Sequence, residues 1–170
     1  AKWKITAVAN VLEGGQPLDN AFFSPMGQSG TFAAPNLIAI GQGSISDFAY
    51  DSDVFKHEFG HYVTFNTVNY DLGEFYTNQY GLQPFGGAID EGSADYFACS
   101  ANDDPVLGEA SLGPLGAERD LTDDHKRCPE DMVGEAHADG EIVGSLGWTI
   151  RTALGRDKAD RVMWGGLSML

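Results

Sequence analysis

Two histidines four residues apart most restrict what this chain can form. His57 and His61 flank Glu58 in the run HEFGH. On an α-helix, residues i and i+4 lie on one face, so both imidazoles can point at a single ion, and Glu58 can reach a water molecule held there. The segment has helical spacing of apolar residues, with Ser52 as a good N-cap and Asp53 in the first turn. We therefore expect a metal-binding helix that begins near Ser52.

A second predicted helix, from about residue 88 to residue 100, carries the candidate for a third metal ligand. Glu91 lies in its segment GGAIDEGSADYFA. Catalytic zinc ions usually have three protein ligands and an open position. Asp95 shares the face of Glu91 and could accept a hydrogen bond from the outer nitrogen of a liganding histidine. The alternative is that both carboxylates are solvated side chains on a helix surface.

The remaining patterns predict strands before helices. Alternating residues predict a strand over 2–10, and a loop-rich stretch over 11–35 contains one short strand near Ala21. Further expectations are a strand over 36–40, an acidic loop over 101–120, a helix over 134–154 capped by Gly155, and the start of another helix within 157–170.

This order predicts an α+β fold. We expect an N-terminal mixed β-sheet with the metal-binding helix, followed by a mainly helical part, with a cleft between them. The length of 170 residues predicts a single domain. Within it, residues 1–68 form the expected β-rich upper lobe and residues 69–170 the helical lower lobe.

The charge of the chain limits its partners. Ten basic against 25 acidic residues give a net charge of −15, which argues against binding nucleic acid or an anionic membrane. The sequence has no run of about 18 apolar residues, and residues 1–20 show no basic stretch followed by an apolar region, so we expect neither a membrane span nor a signal peptide within it. We expect a monomer that is secreted after removal of a signal and any propeptide. Cys99 and Cys128 can form one disulfide, which an extracellular setting would favour, or remain free thiols.

Four segments in order resemble the gluzincin zinc metallopeptidases, in particular the thermolysin and fungalysin families. They span roughly residues 18–155 and are Asn20-Ala21-Phe22, FAYDSDVFKHEFGH, the AIDEGSAD helix and EAHADGEIVGSLGW. The resemblance implies a zincin-like catalytic domain. It also implies a zinc-dependent endopeptidase that acts on polypeptides.

The resemblance assigns roles to the residues of the motifs. His57, His61 and Glu91 would be the zinc ligands. Glu58 would be the general base, which takes a proton from the attacking water and passes it to the leaving amine. His137 matches the histidine that donates to the developing oxyanion. Its alternative is a structural or exposed histidine.

The sequence departs from the family pattern at one position before His137. The aspartate expected five residues earlier is absent, and Met132 occupies its place. Asp131 or Glu135 could substitute for it. Arg119 resembles the arginine that binds a substrate backbone carbonyl, and its alternative is a surface arginine that pairs with neighbouring acids.

Two further features concern the substrate cleft. Asn20 and Ala21 resemble the edge strand that pairs with a substrate backbone in these enzymes, although an ordinary loop is the alternative. A tyrosine often assists the histidine. Tyr70, Tyr76 and Tyr80 all lie in the variable segment between the ligands, and the sequence does not choose among them.

Calcium is a second candidate metal. Asp53 matches a calcium-binding aspartate of thermolysin, and three acids follow Glu91 at comparable distances, namely Asp103, Asp104 and Glu109. Calcium needs about six to eight oxygen ligands, and the sequence shows only a density of carboxylates. The alternative is a solvated acidic loop.

Two functions from different classes remain open. The Gly-x-Met-Glu-Asn strand of the related aminopeptidases is absent before His57, which favours internal cleavage. The alternative is a non-catalytic zinc-binding module of the same fold, acting as an interaction or inhibitor domain. Glu58 argues against this alternative, because a structural zinc would more often fill its fourth position with Cys or His.

Overall fold

A computed structural model describes residues 4–29, 32–68, 76–79 and 81–169, with strands mainly before helices. The strands are β1 (Thr6–Glu13), β2 (Gln16–Pro17), β3 (Ala21–Ser24), β4 (Gln28–Ser29), β5 (Phe32–Ala33), β6 (Leu37–Gly41), β7 (Tyr76–Asn78), β8 (Gly81–Gln83), β9 (Val106–Leu107) and β10 (Arg119–Asp120). The helices are α1 (Ser52–Thr67), α2 (Phe85–Asn102), α3 (Ala136–Leu154) and α4 (Arg156–Leu167). The α+β class is therefore confirmed.

The largest sheet is mixed and has the order β2-β1-β6-β3. β6 pairs in parallel with β1 and antiparallel with β3. Its continuous apolar sequence LIAIG suits this central place, where the whole strand is buried. Within the described residues, β3 pairs on one side only, so it is an edge strand of this sheet.

Helix α1 packs against β3 and β6. Its residue Val54 joins an apolar core that also contains Ala21, Ile38, Ile40 and Phe48. The predicted N-cap at Ser52 is wrong by one residue. Asp51 has an extended backbone and accepts the backbone N–H of Asp53 at 3.1 Å, whereas Ser52 is already helical.

Helices α2 and α3 approach each other closely through glycines. A Cβ atom on Gly92 would overlap the carbonyl oxygen of Gly140, so only glycine fits there without a shift. α2 is longer than predicted at both ends, and α3 begins two residues later than predicted. At the end of α3, the backbone N–H of Gly155 donates to Arg151 at 2.8 Å, as expected for a C-cap.

Hydrogen bonds to one carboxylate connect helix α4 to helix α2. Asp160 Oδ1 accepts hydrogen bonds from the hydroxyls of Tyr96, at 2.8 Å, and Ser100, at 2.7 Å. None of the helices in the described residues is both long and apolar enough to cross a bilayer.

Three details differ from the sequence expectations. The first strand runs from Thr6 to Glu13, a few residues later than predicted. The predicted acidic loop contains the antiparallel pair β9 and β10, which places Arg119 beside Leu107. Cys99 is buried and Cys128 is exposed, and both are free thiols, so the disulfide is not formed.

Candidate metal centre

The packing of α1 on α2 brings the three predicted metal ligands together. His57 Nε2 lies 2.9 Å from His61 Nε2 and 3.1 Å from Glu91 Oε2. The third side of the triangle, from His61 Nε2 to Glu91 Oε2, measures 3.5 Å. A tetrahedral ion bound at about 2.0–2.1 Å separates its ligands by roughly 3.3 Å. The triangle therefore has the size of a metal site.

The contacts of these three side chains are those expected around a bound cation. Glu91 Oε2 is buried and has no aligned hydrogen-bond donor, although histidine nitrogens approach it. The rings of His57 and His61 stand at 89° to each other with both Nε2 atoms turned inward. A buried oxygen without a donor is costly, and a bound cation would remove that cost. His57, His61 and Glu91 thus form a group that can bind a metal ion.

Two aspartates hold the outer nitrogens of the histidines. His57 Nδ1 lies 2.7 Å from Asp95 Oδ1, an ion-pair distance without hydrogen-bond alignment, and the hydrogen bond to Asp95 stays a prediction. His61 Nδ1 lies 2.6 Å from Asp90 Oδ2, and the other oxygen of Asp90 accepts the Thr64 hydroxyl at 2.6 Å. Such contacts fix the ring orientation and keep Nε2 available to a metal. Sequence reasoning missed Asp90, for which the signal was a third carboxylate in a segment of small and apolar residues.

Arg119, on β10, forms an ion pair with Asp95. Its Nε and Nη2 atoms donate to the two oxygens of Asp95, both at 2.7 Å. Burial alone would raise the pKa of Asp95, but the charges of Arg119 and His57 lower it to about 2. Arg119 therefore pairs with an acid, but at 14% side-chain exposure it is not a surface arginine, and it also lines the cleft. Its contact with a substrate stays a prediction.

Glu58 is buried in the same cleft. Burial raises the pKa of its carboxyl, although the neighbouring His57 and His61 oppose this. Burial lowers the pKa of His57, but Asp95 and Glu91 raise it to about 9. Asp90 and Glu91 likewise raise the pKa of His61 well above its usual value, against the effect of burial. The metal-free triad therefore holds protons that a cation would displace.

A cavity of about 320 Å³ opens over the triad. Its wall includes Glu58, His137 and the edge strand β3 with the preceding Asn20. A smaller cavity of about 70 Å³ shares His57, Glu58 and His137 with the first, and its wall also includes Leu107 and Arg119. Ala21 begins β3 and lines both cavities, so this part of the expected edge strand lies on the cleft.

His137 lies at the start of α3, with its side chain 54% exposed. Its Nε2 atom is 3.4 Å from Glu91 Oε2, and its Nδ1 atom is 2.7 Å from Glu135 Oε1. The side chain of Met132 contacts Cys128, with 3.6 Å between the sulfurs. Of the candidate tyrosines, Tyr70 and Tyr80 lie outside the described residues, and only the backbone of Tyr76 lies within them.

The four acids predicted to bind calcium make contacts with different partners. Asp103 pairs with Arg151 at 2.5 Å. Both oxygens of Asp53 accept hydrogen bonds, from Asn102 and from the backbone N–H of Gly108. Asp104 accepts the backbone N–H of Val106, and the side chain of Glu109 lies next to Asp53. Calcium stays a prediction, for which Asp103 is a poor ligand because its charge is already paired.

In comparisons with known proteins, the chain matches no protein-family model and no curated protein. Its function is therefore inferred from the geometry of the site.

Proposed function

We propose that the chain is a zinc-dependent endopeptidase of the gluzincin type, with a zincin-like fold. The observation that supports this most is the position of Glu58 in the same cavity as the three candidate ligands. Two imidazoles and one carboxylate form a ligand set that suits zinc. Among the described residues three protein ligands converge, and the cavity lies over them, so a fourth position can be reached from the cleft.

The chemistry divides between the metal and the side chains. A bound zinc ion would act as a Lewis acid toward the scissile carbonyl and would make a water molecule more acidic. Glu58 accepts the proton of the attacking water and delivers it to the leaving amine. Its raised pKa suits both halves of this task, since a stronger carboxylate base accepts the proton more readily.

The cleft also offers places for the polypeptide backbone. Within the described residues β3 pairs on one side only, so its other edge can offer backbone hydrogen bonds to an extended substrate, which are sequence-independent. His137 lines both cavities and can donate to the oxyanion, and Arg119 lines the smaller cavity.

A cleavage assay tests this function. Zinc-loaded protein is incubated with an unfolded protein substrate, and the fragments are identified by mass spectrometry. We expect internal cleavage that Glu58→Gln reduces by a factor of about 10² to 10⁴, with bound zinc retained. Glu130→Gln, a change at an exposed acid away from the cleft, serves as the control. A zinc-loaded wild type that cleaves nothing would instead favour the non-catalytic binding module.

A further inference from the structure

A second pocket lies between helices α1, α2 and α4, apart from the metal cleft. It has a volume of about 240 Å³, and its wall is almost entirely apolar. Among the described residues, this wall shares no member with the walls of the two cavities at the triad. The α1 residues in it, from Lys56 to Thr64, lie on a different face of the helix from His57 and His61. The pocket is therefore a separate feature of the fold.

Aromatic rings from all three helices form much of the wall. Phe59 on α1 is 44% exposed. The rings of Phe97 on α2 and Trp164 on α4 meet edge to face, with 6.2 Å between their centroids. An engineered apolar cavity of about 150 Å³ holds benzene, so a pocket of this larger volume has room for more than one aromatic ring. Flat aromatic ligands pack well against such rings.

One charged side chain contributes to the wall. Lys56 is half-buried, as expected of a lysine that covers apolar surface with its stem and keeps its ammonium in water. In the part of the chain that the structure describes, no ion pair or hydrogen bond joins this ammonium to another group. Other cations of this acidic chain do pair with carboxylates, namely Lys126, Arg151 and Arg156. Lys56 is therefore a cation that the anionic group of a ligand can neutralise.

We propose that this pocket binds a small aromatic carboxylate. The ring system lies against Phe59, Phe97 and Trp164, and the carboxylate pairs with the ammonium of Lys56. The hydroxyl of Thr64, which also lines the pocket, donates to Asp90 at 2.6 Å and so makes no demand on the ligand. The charge of Lys56 favours an acid over a neutral aromatic molecule. Binding here requires neither zinc nor peptide cleavage.

A matched pair of ligands tests the proposal. 2-Naphthoate carries two fused rings and one carboxylate, and 2-naphthamide is its uncharged analogue. Each is titrated into the full 170-residue chain while the backbone amides are followed by NMR. We expect a Kd for 2-naphthoate on the order of 0.1–1 mM, with amide shifts around the pocket. The amide should bind about threefold to tenfold more weakly.

Two outcomes of this titration would overturn the proposal. One is no binding of 2-naphthoate up to about 10 mM. The other is a set of shifts confined to the metal cleft, around Ala21 and His137, which would place the carboxylate at the candidate metal ligands instead.

The role of the charge is tested by Lys56→Met, which keeps an apolar stem and removes the ammonium. The affinity for 2-naphthoate should fall about threefold to tenfold, to the level of 2-naphthamide, whose own affinity should change by less than about twofold. Lys158→Met, at an exposed lysine of α4, is the matched control and should change neither affinity. An unchanged affinity for 2-naphthoate in Lys56→Met would overturn the proposed contact.

The position of the site is tested by filling it. Ala101 lines the pocket and is exposed, so the indole of Ala101→Trp can occupy the pocket without entering the core. Both ligands should bind about tenfold more weakly or not at all, with the melting temperature close to wild type. Ala153→Trp, at an exposed alanine of α3, is the control. Unchanged binding in Ala101→Trp would overturn the site.

Size-exclusion chromatography without ligand excludes a different occupant. We expect a monomer in both the wild type and Ala101→Trp. A wild-type dimer that Ala101→Trp dissociates would place a second copy of the chain on the pocket and would overturn the assignment to a small carboxylate.

Discussion

Arg119 and Asp95 form a bidentate ion pair whose two N–O distances are both 2.7 Å. The same carboxylate lies 2.7 Å from His57 Nδ1, so one buried acid serves both an arginine and a candidate metal ligand. The pair links β10 to α2 and orients a side chain of α1. The free energy of unfolding and the zinc affinity should therefore both fall when the Arg119–Asp95 ion pair is broken.

Asp95→Asn should reduce both properties. It leaves Arg119 largely buried opposite a neutral group, which we expect to lower the free energy of unfolding by about 3 kcal/mol. Zinc affinity should also fall by about tenfold to hundredfold, because the ring of His57 is no longer fixed by a charge. Urea unfolding with and without zinc, together with chelator competition, measures the two effects.

The control for this variant is Asp124→Asn, whose side chain is 64% exposed. It should change neither property. In the double variant Asp95→Asn with Arg119→Met, the two losses of stability should not add, since the residues share one interaction. Additive losses would contradict the coupling.

Asp90 provides an independent test of the histidine supports. Asp90→Asn should weaken zinc binding by about tenfold to hundredfold, because the contact to His61 Nδ1 loses its charge. Asp90→Asn keeps the oxygen that accepts the Thr64 hydroxyl at 2.6 Å, so the prediction concerns zinc affinity. Isothermal titration with zinc compares the two variants, and an affinity equal to wild type would contradict the role of Asp90.

Zinc binding should depend on pH. In the metal-free protein the pKa of His57 is about 9 and that of His61 is well above its usual value, so zinc must displace protons from both rings. Between pH 6.5 and 8 the affinity should rise with pH, by about tenfold per pH unit for each proton released. Titrations in buffers of different ionisation enthalpy count these protons, and a pH-independent affinity would contradict the assignment.

The metal-free protein should show the opposite trend in stability. A histidine whose pKa is raised by folding stabilises the native state fully below its unfolded value near 6.5, and this contribution is lost as pH rises through the folded pKa of about 9. Chelator-treated protein should therefore lose stability from pH 7 to pH 9, as measured by urea unfolding. A gain in stability over this range would contradict the raised pKa of His57.

The sequence predicted the elements whose signals are local. The helical spacing around HEFGH located the start of α1, and the apolar spacing with the C-cap Gly155 located both ends of α3, to within about two residues. The spacing of His57 and His61 also predicted two of the three residues of the triad, because i and i+4 share a helix face. Placing Glu91 with them came from the resemblance.

The remaining features depend on tertiary packing. Asp90 contacts His61 only because α2 lies across α1, and no spacing within α2 shows this. The pairing of β9 with β10, two residues each, is too short to leave a periodic signal. The choice between Asp131 and Glu135 depended on where α3 begins, which sequence patterns locate only to within a few residues.

The close contact of α2 and α3 predicts a sensitive position beside a ligand. Gly92→Ala places a methyl group against the backbone of Gly140, which should force the helices apart and cost about 1–3 kcal/mol. Because Glu91 is the next residue, zinc affinity should fall as well. Gly165→Ala is the matched control, since a Cβ there meets nothing within 4 Å and alanine favours a helix by about 1 kcal/mol. If Gly92→Ala unfolds like wild type, the helices are not in this contact.

The account depends most directly on one metal ion shared by His57, His61 and Glu91. Metal analysis of purified protein after zinc loading and removal of loose metal tests this claim. We predict about one zinc per chain in the wild type and less than about one tenth of that in Glu91→Ala, while Glu130→Ala keeps its zinc. A wild type that holds no zinc, or a Glu91→Ala variant that holds as much as the wild type, would contradict the account.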